Sequence, residues 1–131
     1  MSASLYKKAP KADVLHFDYD FSVDGGAVSA ISLGEVPENF VITEVFVSIE
    51  TTITSGGVPT IEIGNAADAN GYVADFFGTP SAGQVLKGAG ALVSGGVYRV
   101  AAANVGVLLT IGTAALTAGK FHVQVYGHMA Y

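Results

Sequence analysis

His16, Asp18 and Asp20 are spaced by two residues within the segment Val14–Phe21. Successive side chains of an extended strand point to opposite faces, so these three share one face. His and Asp side chains placed this way could ligate a divalent metal if a neighbouring strand supplied a further donor. His122 and His128, near the other end of the chain, are the residues that could supply it. The same segment carries Leu15, Phe17, Tyr19 and Phe21 at the intervening positions. The pattern therefore also fits a strand with a buried aromatic face and a solvated outer one. On balance the expectation is that no metal and no cofactor is bound.

Other chemistry has less support. A jelly-roll metalloenzyme of the cupin type would carry a clustered His-x-His followed by Glu and a later His, and neither is present. Asp68, Asn70 and Gly71 look like part of a calcium loop, but the position where an EF-hand places its bidentate Glu is Thr79. Asn and Gly at this site read as a turn. The chain has no Cys and no Gly-x-Ser-x-Gly, so the motifs of nucleophilic catalysis are missing. Gly88-Ala89-Gly90 lacks the spacing of a phosphate-cradling loop. The expectation is a protein that is not an enzyme.

The elements that would position these residues are strands. Val14–Phe21 alternates strictly, and Asp24-Gly25-Gly26 reads as a turn. Ala27–Leu33 reads as a strand, followed by a Pro37-containing loop from Gly34 to Asn39. Phe40–Thr52 is the longest strand candidate, rich in Val, Ile, Phe and Thr and apolar on both faces. Ser55-Gly56-Gly57 turns the chain into Val58–Ile63. Gly64–Gly71 is a loop, Tyr72–Phe77 a short strand and Gly78–Gly90 irregular. Val97–Val100, Val105–Ile111 and Lys120–Tyr126 complete the set, with Gly112–Gly119 as a loop. About eight strands, with turn signals every 8–15 residues and no helical periodicity, predict an all-β fold. The expected form is an antiparallel β-sandwich, specifically an eight-stranded jelly roll spanning residues 13–131.

Residues 1–12 stand apart as an extended N-terminal arm. They are basic, contain Pro10 and show no periodicity. Leu5 and Tyr6 could anchor the arm on an apolar surface, while Lys7, Lys8 and Lys11 could meet an acidic one. These five residues form the candidate contact arm to a neighbouring subunit or to a larger assembly.

Charge is sparse and uneven. The chain has 131 residues, half of them hydrophobic, and only 13% charged, against about 25% in an average soluble domain. All eleven carboxylates fall between Asp13 and Asp75. From Phe76 onward the only charges are Lys87, Arg99 and Lys120. Charge depletion marks the core of an interface, and a sheet faced with Ser, Thr and Gly would also produce it. We expect a homo-oligomer that buries much of this second half. The net charge of −5 disfavours a polyanionic partner, so no nucleic acid is expected. No apolar run approaches the roughly 20 residues of a spanning helix, and Met1–Lys11 lacks a signal-peptide core. Synthesis in the cytoplasm and no membrane partner are the expectations.

Two segments carry a family resemblance. Thr60–Tyr72, TIEIGNAADANGY, and Thr117–Tyr126, TAGKFHVQVY, resemble small structural proteins of tailed phages. Within that group the chain is most similar to the jelly-roll capsid decoration, or cement, proteins. The resemblance implies a bacteriophage virion component on the outer surface of the capsid. It implies a homotrimer whose partner is the separately encoded major capsid protein. It brings no site motif with it. The alternative is a carbohydrate- or receptor-binding jelly-roll module of a tail or head fibre. In that reading Tyr72, Phe76, Phe77 and Tyr98 are candidate sugar platforms, although no Trp is present.

Overall fold

A computed structural model describes residues 13–75, 79–94, 98–100 and 105–130. The arm residues Leu5, Tyr6, Lys7, Lys8 and Lys11 lie outside this range, as do Phe76 and Phe77. The elements run β1 (Asp13–Asp20), α1 (Phe21–Asp24), β2 (Ser29–Val36), β3 (Phe40–Ser55), β4 (Thr60–Gly64), β5 (Val85–Lys87), α2 (Ala91–Ser94), β6 (Tyr98–Arg99), β7 (Val105–Gly112) and β8 (Leu116–Met129).

The strands form two antiparallel sheets. One has the order β1-β8-β3-β5, with β6 also pairing to β3, and the other has the order β2-β7-β4. Pairing is nested: β1 with β8, β2 with β7, and β3 with β6. Consecutive long strands alternate between the sheets, which is the wrapping of a jelly roll. The expected eight-stranded β-sandwich is therefore the observed fold, and the two helices are single turns of four residues each.

The alternation in β1 decides its orientation. Phe17 and Tyr19 are buried, while His16 and Asp18 are exposed. The core collects Phe17, Tyr19, Phe40, Ile42, Val45, Val47, Ile49 and Ile53 with Phe121, Val123 and Val125 of the first sheet. Ile61, Ile63, Val107, Leu109 and Ile111 face them from the second. The Tyr19 and Phe121 rings stack at 5.0 Å with a tilt of 32°. The Tyr19 hydroxyl donates to the Gly25 carbonyl at 2.5 Å, and burial pushes its pKa up to about 12.

Several boundaries differ from the sequence expectation. β2 runs on through Gly34 to Val36 by means of a bulge between Ser32 and Gly34. Gly34 has a φ of 149°, and a Cβ there would lie 2.8 Å from the Phe17 ring. β8 begins at Leu116, inside the expected loop, because Ser55 and Thr54 of β3 extend the pairing to Leu116 and Ala118. Of the expected strand Tyr72–Phe77, the described residues contribute a bridge, Val73 to Ile63. The irregular stretch Gly78–Gly90 contains β5.

The carboxylate-free second half supplies the short strands β5 and β6 at the edge of β3 and the long strands β7 and β8, which are inner strands. β7 and β8 are each flanked on both sides by strands from the first half, so each keeps one face in the core and has no free edge.

Candidate functional site

The outward face of the first sheet brings together most of the residues capable of chemistry. Its register sets them in rows. Val14 lies across from Tyr126, which lies across from Glu44. His16, Gln124, Phe46 and Lys87 form the next row. Asp18, His122, Ser48 and Val85 follow. Asp20 and Lys120 close the series.

His122 is the centre of a polar bridge across three strands. Its Nδ1 is 2.5 Å from Oδ1 of Asp18 on β1. Its Nε2 is 2.6 Å from Oε1 of Glu50 on β3. Lys120 Nζ reaches the other oxygen of Glu50 at 3.4 Å. Hydrogen bonds to the Asp18 and Glu50 carboxylates raise the pKa of His122 above its ordinary value. The His122 bond, with a second from Lys120, lowers that of Glu50. Two carboxylates thus hold the imidazole between them, and both favour its protonated form.

This geometry limits what the cluster can do. Both imidazole nitrogens are committed to carboxylates on opposite sides of the ring, so neither is free to take a proton from a substrate. Ser48, His122 and Asp18 are residue types of a nucleophilic triad in one row, but the Ser48 hydroxyl donates to Oε1 of Gln124 at 3.1 Å and not to His122. Among the described residues no cluster of His, Asp and Glu is arranged to hold a metal.

The sequence-predicted metal set is brought only partly together. Asp18 meets His122, as the cross-strand argument anticipated. Asp20 is turned to another task. Its carboxylate accepts from Ser22 N at 2.9 Å and from the Ser22 hydroxyl at 2.7 Å, capping α1. These bonds lower its pKa. His16 lies across from Gln124 and His128 across from Val41, so neither is in register with Asp18. Sequence reasoning missed Glu50, because nothing in the strand pattern of β3 pairs it with His122. Only the register does so.

An apolar patch adjoins the cluster. Val14 and Tyr126 are each 39% exposed, and Val85 is 63% exposed. The Phe46 and Tyr126 rings meet edge to face at 5.6 Å, a favoured geometry. Beside them the edge of β3 is interrupted. β6 pairs with Val41 and Ile42, and β5 with Phe46 to Ser48. A cavity of about 400 Å³, lined by Thr43, Glu44, Lys87, Gly88, Ala89 and Val93, opens between them. Glu44 makes no ion pair among the described residues.

The loop Asn65–Gly71 uses its polar groups internally. Asn65 is buried, its Oδ1 accepts from Ala67 N and Asp68 N, and its Nδ2 donates to the Tyr72 hydroxyl. Asp68 accepts from Asn70 N. This is the turn expected in place of a calcium loop. Tyr72 is fully buried and Tyr98 packs beside it at 6.3 Å. Burial raises the pKa of Tyr72. Tyr72 therefore presents no face to a sugar ring.

In sequence, the chain matches no family model and no curated protein. In structure, it is similar to chains of three phage capsids. One belongs to the cyanophage Pam1 capsid asymmetric unit, with a TM-score of 0.66, 16% identity, and coverage of 98% of this chain and 92% of that one. A second belongs to the acidic stable capsid of Helicobacter pylori bacteriophage KHP30, with a TM-score of 0.62, 12% identity, and coverage of 95% and 94%. A third belongs to the capsid of Ralstonia phage GP4, with a TM-score of 0.61, 16% identity, and coverage of 100% and 92%.

Proposed function

We propose that this chain is a non-enzymatic structural protein of a bacteriophage particle. Its role is that of a capsid decoration protein, seated as a homotrimer on the outer surface of a shell that a separate major capsid protein builds. The observation that carries this reading is the coverage of the three capsid chains, at least 92% of each. Whole capsid-associated chains of about this length share the jelly roll from end to end. A jelly roll of about the length of these matched chains suits an attachment to a shell better than the shell's own repeating tile.

Two features of the chain support the role. The polar cluster around His122 is closed on itself and offers no free catalytic base. The arm, Leu5 to Lys11, combines two apolar residues with three lysines, and the first sheet carries exposed apolar and acidic residues together. Such a chain is equipped for contacts with protein. The carbohydrate-binding alternative is weakened by the burial of Tyr72.

Mass spectrometry and cryo-electron microscopy of purified particles test the proposal. The expected result is a fixed ratio to the major capsid protein, with three-fold density outside the shell. Absence from particles, or confinement to tail or fibre, overturns it.

A further inference from the structure

We infer that His122 is a proton-operated clasp: protonated, it ties Asp18 of β1 to Glu50 of β3 across β8, and on losing its proton it keeps Asp18 and releases Glu50. The clasp lies within one chain, so it goes beyond the structural role proposed above and does not depend on it.

An imidazolium ring donates from both nitrogens, whereas the neutral ring has one donor and one acceptor. An ionised carboxylate only accepts. Here Nδ1 lies 2.5 Å from a carboxylate oxygen of Asp18, and Nε2 lies 2.6 Å from one of Glu50. Only the charged ring satisfies both contacts. Loss of the proton turns a ring lone pair toward a carboxylate oxygen, so one of the two contacts must open. Ser48, the hydroxyl in the same row, donates to Gln124. It therefore does not take the place of the lost donor, and the opened ring gains no nucleophile.

Two observations select Glu50 as the partner released. Its other oxygen already has Lys120 Nζ at 3.4 Å, whereas Asp18 has no side-chain partner besides His122 among the described residues. Glu50 also stands outside the strand ladder. Ile49 pairs with Phe121 and Thr51 with Lys120, so Glu50 is the extra residue of a bulge in β3. Its carboxylate can swing away without breaking strand pairing, while Asp18 sits directly across from His122 in register. The charges around the ring favour the closed form. β1 brings Asp18, with His16 and Asp20 two residues away on either side, and β8 brings Lys120 across from Asp20. α1, packed against β8, brings Asp24, whose carboxylate accepts from Asp20 N at 3.0 Å. β5 sets uncharged Val85 in the same row and Lys87 in the next. Carboxylates outnumber lysines in this set, which favours the proton on His122. The bond to Asp18, and after it the bond to Glu50, raises the pKa of His122.

Nitrogen NMR of the full-length chain, isotopically labelled at histidine, reads the two ring nitrogens separately. The His122 signals are those missing from His122→Gln. At mildly acidic pH both nitrogens should carry protons. The tautomer of a neutral ring follows the bond its N–H makes. Above the titration midpoint the Nδ1–H form should therefore exceed the Nε2–H form by about fivefold, the upper bias of a solvated ionic contact. Glu50→Ala should lower the midpoint and leave that tautomer in place. Asp18→Ala should lower the midpoint and invert the ratio in favour of Nε2–H. Lys120→Ala, which takes away the alternative partner of Glu50, should bring the ratio close to one. Circular dichroism should stay that of the wild type in all three. A neutral wild-type ring protonated mainly on Nε2 overturns the inference. So does a midpoint that neither carboxylate variant lowers, or a tautomer ratio that Asp18→Ala and Glu50→Ala move alike.

Discussion

The two faces of the β1–β8 ribbon interleave in sequence and differ in everything else. Phe17, Tyr19, Phe121, Val123 and Val125 point inward and are nearly inaccessible. Asp18, Lys120, His122, Gln124 and Tyr126, their immediate neighbours along the chain, point outward and keep contact with solvent. The inward set makes the fold through burial of apolar area. The outward set makes a charged bridge and an apolar strip that fold stability does not require. One-residue alternation thus assigns stability to one face and leaves the other available for assembly.

The sharpest contrast is between neighbours in sequence. Phe121→Ala removes a fully buried ring packed on Tyr19. It should cost about 3–5 kcal/mol of unfolding free energy, read from chemical denaturation. A loss below about 1 kcal/mol would show that the inward face does not hold the sheets together.

The crowding of that face extends across the sandwich. Gly34→Ala should destabilise by roughly 1–3 kcal/mol, since it strains a positive φ and drives a methyl group into the Phe17 ring. Thermal unfolding of the variant would measure it.

A polar group inside must be bonded in full, whereas one outside need not be. Among the described residues Asn65 is the buried polar one. Asn65→Ala removes the side-chain partner of the Ala67 N–H and of the Tyr72 hydroxyl and leaves the Asp68 N–H only its bond to the residue-65 carbonyl, and should cost about 1–3 kcal/mol. Hydrogen exchange should rise in the Asn65–Gly71 loop first, leaving β8 protected.

The smallest effect is expected from the outward face. His122→Gln should cost less than about 1 kcal/mol, because the bridge is solvated and screened. The pKa of His122 is raised in the fold, so the folded state holds its proton more tightly than the unfolded chain. That contribution is fully present below the ordinary His value of 6.5 and fades as pH rises through the raised one. Glu50 has the opposite sign: its contribution is present above the ordinary value of 4.5 and is lost as pH falls through the lowered one. The difference in melting temperature between the wild type and His122→Gln should therefore be widest between these limits and shrink as pH rises above 6.5. A difference that grows with pH would mean that the imidazole is neutral in the fold.

Much of the fold was legible because strand periodicity is local. The alternation of Val14–Phe21 named the buried aromatics of β1, and the β-branched run from Phe40 named the longest strand. The site was less legible. Asp18 and His122 were both singled out, but their pairing depends on a register across 104 positions of sequence. Glu50 carried no signal at all, and Asp20 was diverted by the cap it makes to α1. Gly34 read as a loop because a Gly followed closely by a Pro resembles punctuation, whereas it is a bulge fitted to Phe17. The arm residues Leu5, Tyr6, Lys7, Lys8 and Lys11 lie outside the described residues and were read from sequence alone.

Composition and pattern by themselves determined the all-β class and the buried side of β1 and β8, because those follow from residue type and a period of two. They also registered that charge disappears after Asp75. Only the tertiary structure decided what that disappearance accompanies. Nested pairing lays β7 and β8, the last strands of the chain, between strands made earlier. Their edges are paired and their inward faces are closed within one subunit. The same nesting sets His122 of β8 between Asp18 of β1 and Glu50 of β3, because a central strand has a neighbour on each side.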